Sequence, residues 1–224
     1  MASSGSPWPG LIVFGVVGVG IAGTAYASYL AEKKRNAAMR AVAQAMGFAY
    51  EEQANRRPLD ITGFDLPLFG IGHSRKAARI LRGKLADRDT AIIDYRYTTG
   101  SGKSAHTHRQ TVVVFTDGAK GLPEFQLSPE GLLHGLAEVF GAQDIDFEQN
   151  EEFSKRYLLK GPDEAAIRRA FTIDALAWFA AAPGWRVQTR GGRLLAFRGD
   201  KLVDPAEVPA FAAETLRIVG LFRT

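Results

Sequence analysis

The run Gly10–Leu30, GLIVFGVVGVGIAGTAYASYL, holds no Asp, Glu, Lys, Arg, His, Asn or Gln. About twenty residues of helix, at 1.5 Å each, cover roughly 30 Å, the hydrocarbon thickness of a bilayer. A helix satisfies its own backbone hydrogen bonds and can cross where there is no water. The run is therefore read as a single transmembrane helix. Trp8 precedes it, and Tyr26 and Tyr29 lie near its other end. Rings with a polar edge favour membrane interfaces. Then come Lys33, Lys34 and Arg35, assigned to lipid headgroups, whereas Met1 to Pro9 carries no charged side chain. Cations beside a span stay on the cytoplasmic side. The expected order is a non-cytoplasmic tail over 1–9, the span over 10–30, a juxtamembrane helix over 31–47 and a cytosolic domain over 48–224.

Three rival readings compete for the same run. Ala25-Tyr26-Ala27 has the small residues of a signal-peptidase site, but a signal peptide carries its positive charge before the apolar stretch, and here it follows. Gly18-Val19-Gly20-Ile21-Ala22-Gly23 fits the dinucleotide pattern G-x-G-x-x-G. That fold needs a strand ending in an acid about twenty residues later, where helix-forming EKKRNAAMRAVAQAM stands instead. A buried core helix of a soluble protein fits poorly with so long a run ended by cations. Within the run, small residues recur four apart: Gly18 and Ala22, Gly23 and Ala27, and the series Gly20, Thr24, Ser28. This spacing lets a second helix approach closely, so these residues are the expected helix-packing face.

Roughly 190 residues follow the run, enough for one domain with a sizeable core or for two lobes meeting near residue 142. The net charge is +4, with cations concentrated beside the expected membrane, so the balance does not call for nucleic acid. The chain has no cysteine, which excludes disulfides, thiol catalysis and cysteine-ligated metal.

Met39, Val42 and Met46 continue a helical period up to Gly47, a natural helix cap. A short strand is expected over 48–52. Alternation over 78–86 predicts a half-buried strand. The β-branched and aromatic runs TAIIDYRYT at 90–98 and THRQTVVVF at 107–115 predict a hairpin with its tip at 99–104. Ser128-Pro129-Glu130 has the form of a helix start, with a helix to Phe140. Asp163-Glu164 opens another, running to Ala181. A hairpin turns at Gly191-Gly192, and a last helix starts at Asp204-Pro205. FQLSPEGLLHGLAEVF and YLLKGPDEAAIRRAF look alike, as a weak duplication would. The expected fold class is α+β: one N-terminal membrane helix, then a mainly antiparallel sheet with several packed helices.

No complete catalytic constellation stands out. Gly102-Lys103-Ser104 ends like a phosphate loop, but Tyr97 occupies the place of its first glycine and a strand follows where a helix is needed. A flexible, cationic hairpin tip is the plainer meaning. His106 and His108 share a strand face and begin a metal site without completing it. Asp144, Asp146 and Glu148 also alternate, as a hard-cation site or as an acidic edge that blocks stray pairing. Asp94 and Arg96 are placed together on the solvent face of the central strand, within reach of His108 or Gln110 across it. The polar candidates are thus Asp94, Arg96, Lys103, His106 and His108.

The segment DYRYTTGSGKSAHTHRQTVVVF, Asp94 to Phe115, resembles a recurring stretch in bacterial proteins with one N-terminal span and a cytosolic α+β domain. QDIDFE at Gln143–Glu148 and the pairing of WRV with GGRLLAF resemble the same group. The resemblance implies architecture only and carries over no catalytic residue; the apolar run and its cationic flank give the expected place, the bacterial inner membrane. The expected function is a non-enzymatic, membrane-anchored interaction module, an accessory subunit of a larger membrane complex, whose partners are the lipid bilayer and other membrane subunits. No cofactor, nucleic acid or specific small molecule is expected. The alternative is a membrane-tethered enzyme or metal-binding domain with its site around 94–110.

Overall fold

The computed structural model describes residues 8–53, 65–131 and 144–222, with side chains from Tyr26 to Glu52 and throughout the other two ranges. A long helix, α1 (Trp8–Ala45), leads into strand β1 (Ala49–Gln53). Then come β2 (His73–Leu85), β3 (Arg88–Thr99), β4 (His106–Phe115) and β5 (Phe125–Pro129). A short helix α2 (Glu151–Arg156) precedes β6 (Tyr157–Lys160). Helices α3 (Glu164–Ala170) and α4 (Ile173–Ala181), the hairpin β7 (Trp185–Arg190) and β8 (Arg193–Arg198), and α5 (Val208–Leu221) complete the chain.

All eight strands form one antiparallel sheet in the order β1-β2-β3-β4-β8-β7-β5-β6. The β4–β8 pairing, with Val113 opposite Ala196, runs the sheet unbroken through both halves of the chain. Period-two alternation sends successive residues to opposite faces. Ile92, Val113, Leu194 and Ala196 join one apolar cluster with the helices; Ile93, Val112, Val114, Leu195 and Phe197 join a second. Both faces are therefore buried, which explains why strands such as TVVVF and RLLAF read as continuous apolar runs. The helical face is rich in aromatic rings. Phe171 meets Phe125, Phe153, Phe179 and Phe222 edge-on or tilted, at centroid distances of 5.0 to 6.4 Å. The second face is roofed by Leu66, Leu68, Phe69 and Ile71 from the turn before β2.

The expected membrane span is corrected. Among the described residues no helix is long and apolar enough to cross a membrane. The apolar run is instead the first part of α1, a single helix of 38 residues. From Tyr26 on, where side chains are described, α1 carries Glu32, Lys33, Lys34, Arg35 and Arg40. Its inward stripe is Arg35, Met39, Val42, Ala43 and Met46, at helical spacing, and it is laid on the sheet. The piece over 31–47 thus belongs to the folded domain through this stripe. Of the expected small-residue face, Gly18, Gly20, Ala22, Gly23 and Thr24 lie outside the side chains described; Ala27 and Ser28 are exposed.

Other local signals are overridden by pairing. Ser128 and Pro129 finish β5, opposite Leu158 and Tyr157, instead of capping a helix; the helix expected from there to Phe140 falls on 132–143, outside the described residues. The single helix expected up to Ala181 is two. Phe171 is extended and bridges to Phe222, and the Thr172 hydroxyl then accepts from the Ala175 N–H to start α4. Burying one large ring in the aromatic cluster outweighs a turn of helix.

The end of α1 is locked as the sequence indicates. Gly47, at φ 69°, reverses the chain; its N–H donates to the Gln44 carbonyl at 3.2 Å and the Phe48 N–H to that of Ala43 at 2.8 Å. The Phe48 ring then covers Gly83 of β2, where an added Cβ would lie 2.5 Å from the ring. Gly83→Ala is expected to displace Phe48 and destabilise the protein by about 1–3 kcal/mol, as overpacking does; urea unfolding measures it.

Candidate functional site

Asp94 lies midway along β3, on the face covered by α1, and is 3% exposed. Arg35 of α1 grips it with two parallel bonds, Nε to Oδ2 at 2.8 Å and Nη2 to Oδ1 at 2.9 Å. Arg79 of β2 donates Nε to Oδ2 at 2.6 Å, and the Thr111 hydroxyl of β4 donates to Oδ1 at 2.7 Å. The other end of Arg79 returns to α1, donating Nη1 to Glu32 and to Asn36 Oδ1, the latter at 2.8 Å. A bulge makes this possible. The β2–β3 register shifts between Ala78 and Leu81, and Arg79 adopts φ 49°. A bulge re-aims a side chain, and this one turns a strand arginine up under the helix. Two acids and two arginines thus close a neutral clasp between α1 and the sheet.

Beside the clasp opens a cleft of about 340 Å³. It is lined by Glu32 and Asn36 of α1, Glu52 of β1, Lys76 and Arg79 of β2, Asp94 and Arg96 of β3, Arg109 of β4, and Leu202. Of the acids, Glu32 and Asp94 are held by Arg79, and Glu52 accepts from Asn36 and Arg40.

Asp94 and Arg96 do share a face, as expected, but Asp94 is buried under α1 while Arg96 is exposed. Across from them stand Thr111 and Arg109, so His108 and Gln110 point to the opposite face. A single site built from Asp94, Arg96, His106 and His108 is therefore excluded: the sheet separates the first pair from the second. Lys103 sits exposed in the short turn Gly102–Ser104 at the hairpin tip. Arg35 is turned inward to Asp94, whereas Lys33 and Lys34 are exposed.

On the other face, His108 stacks on Tyr97 at 4.7 Å between centroids, with His106 edge-on at 4.6 Å. Asp200, from the loop after β8, faces His108 Nδ1 at 3.0 Å and accepts from Arg186 Nη1 at 2.9 Å. His106, His108 and Asp200 offer three ligand atoms within 4.8 Å of one another, the number a catalytic zinc site uses. In the present geometry His108 also contacts the Thr99 hydroxyl through Nε2, at 3.0 Å, and Arg186 already neutralises Asp200, so a metal would have to displace both. Nearby, the Tyr95 hydroxyl, both ends of the Gln110 amide and Arg186 Nε are buried without a hydrogen-bond partner among the described residues. Burial pushes the Tyr97 hydroxyl up to about 12, so it stays a neutral donor. Of the two readings of Asp144, Asp146 and Glu148, a cation site or an acidic edge, the first loses Asp144, which accepts from the N–H groups of Ile145 and Leu159 at 2.9 and 2.8 Å.

Asp200 and Arg186 carry no sequence pattern. Arg79 had a signal only in the alternation of β2, which would have pointed it outward.

No protein-family model matches the chain, and no curated protein matches it. The fold is similar to that in the crystal structure of the mycobacterial trehalose monomycolate transport factor A, TtfA. The TM-score is 0.59 over 84% of this chain and 91% of that one, at 15% identity. At that identity the likeness is one of fold.

Removing Asp94 strands two guanidinium groups beneath a helix. Asp94→Ala is expected to cost about 3–5 kcal/mol in urea unfolding, with faster hydrogen exchange over the second half of α1. Asp200 behaves differently. Burial raises its pKa, but the bonds from His108 and Arg186 outweigh this and hold the carboxyl below the usual range. Its folded pKa is therefore below its unfolded one, near 3.9, and its contribution is present above that value and lost as pH falls through the folded one. The stability gap between wild type and Asp200→Asn should close between roughly pH 5 and pH 2.

Proposed function

We propose that this protein is an accessory factor of a membrane-bound transport assembly for envelope lipid, acting at the cytoplasmic face of a bacterial inner membrane through binding and without catalysis of its own. The observation that carries this is the shared fold, which extends over nine-tenths of a chain named as a trehalose monomycolate transport factor. Three features of the structure support it. A long helix is clamped to the sheet at one end by Asp94, with exposed Tyr26, Tyr29 and Leu30 further along it. Lys33 and Lys34 are exposed on the same stretch, as cations that anionic lipid attracts. Asp94 and Arg96 lie on one face of the sheet and His106 and His108 on the other, so the strand pair does not converge on one site.

The partner is another subunit of the assembly, and the cargo is a glycolipid or a lipid of similar amphipathic character. Depletion in the native bacterium is expected to hold an envelope glycolipid on the inner side of the membrane with its synthesis intact. Solubilised gently, the full-length protein should remain with a polytopic membrane transporter. Normal glycolipid export on depletion, or a lone monomer after gentle solubilisation, would overturn the proposal.

A further inference from the structure

Lys76, Arg96 and Arg109 stand directly opposite one another on three neighbouring strands: Lys76 faces Arg96 across β2–β3, and Arg96 faces Arg109 across β3–β4. Directly opposed residues share a sheet face, and strands lie about 4.8 Å apart, so three cations are lined up within roughly 10 Å. Like charges in this position repel and destabilise a sheet. Proteins usually relieve such a row with an intervening acid. Here all three are exposed, and no hydrogen bond or ion pair holds any of them among the described residues. The acids of the adjoining cleft are already taken, Glu32 and Asp94 by Arg79, and Glu52 by Arg40. The row therefore faces a cleft of about 340 Å³ with its charge uncompensated.

We infer that the Lys76–Arg96–Arg109 row is a binding site for a phosphate-bearing group. Two planar guanidinium forks and an ammonium suit an anion with several oxygens and more than one negative charge, which a phosphate supplies and a single carboxylate does not. The cleft holds a small group or one headgroup. A row only three strands wide gives no track for a polymer such as RNA. Free phosphate esters and anionic phospholipid headgroups share this chemistry. The inference stands apart from the transport proposal, since a phosphate site would exist whether or not the protein serves a transporter.

The test uses the full-length protein and two variants, the double Arg96→Gln/Arg109→Gln and Lys160→Gln on the distant strand β6 as control. Inorganic phosphate titrated at constant ionic strength should raise the melting temperature of wild type and the control in a saturable way. The double variant should bind at least about tenfold more weakly. Without phosphate it should melt no lower than wild type, because a repulsion has been removed. Flotation with vesicles of phosphatidylcholine, against equal parts phosphatidylcholine and phosphatidylglycerol, separates the sources. A preference for the anionic vesicles that the double variant loses identifies a headgroup; phosphate binding without it identifies a soluble ester. If wild type and double variant respond alike to both probes, or only an RNA oligomer tells them apart, the inference fails.

Discussion

The attachment of α1 to the sheet depends on one buried carboxylate. Asp94 accepts four hydrogen bonds, two from Arg35, one from Arg79 and one from Thr111, so both of its oxygens are fully used. An isolated charge at 3% exposure would be very costly. Here each charge has an opposite at hydrogen-bond distance, and the cluster of Glu32, Arg35, Arg79 and Asp94 sums to zero. Replacing such a cluster with apolar residues is often neutral for stability, so its value lies in specificity. Met39 and Ala43 would tolerate several rotations and slides of α1; the two-pronged Arg35–Asp94 contact fixes one.

Specificity of this kind requires distortion nearby. Arg79 takes a left-handed backbone conformation, which for a residue with a Cβ costs about 1–2 kcal/mol. The bulge offsets that cost by delivering the guanidinium to both Asp94 and α1. It leaves Lys76 on the same face, in line with Arg96 and Arg109. The neutral clasp and the uncompensated row are thus neighbours on one surface: Arg79 holds Glu32 and Asp94, Arg40 holds Glu52, and the row has no acid of its own among the described residues. The opposite face has a separate polar chemistry around His108, Tyr97 and Asp200, screened from the first by the thickness of the sheet.

Much of the fold was legible in the chain. The hairpins at 88–115 and 185–198 follow from β-branched, aromatic runs around glycine-rich turns, and Gly47 marks the end of α1. The site was legible only in part. Asp94 and Arg96 were singled out, yet with His106 and His108 as companions, because local spacing shows which residues of one strand share a face but not which strand residue stands opposite. Asp94 pairs with Thr111, and that one-residue difference in register puts the histidines on the other side.

Sequence alone determined the α+β class, the antiparallel hairpins and the inward stripe of Met39, Val42 and Met46, since these arise from periodicities of two and 3.6 and from residues that cap or turn. Tertiary structure decided the rest. It laid the stretch of α1 from Arg35 to Met46 on the sheet, broke a helix at Phe171 to fill an aromatic core, and turned Arg79 inward through a bulge. Each of these depends on contacts between residues far apart in the chain, such as Arg35 with Asp94 and Phe171 with Phe222, whose energies exceed local preference and leave no mark in the local pattern.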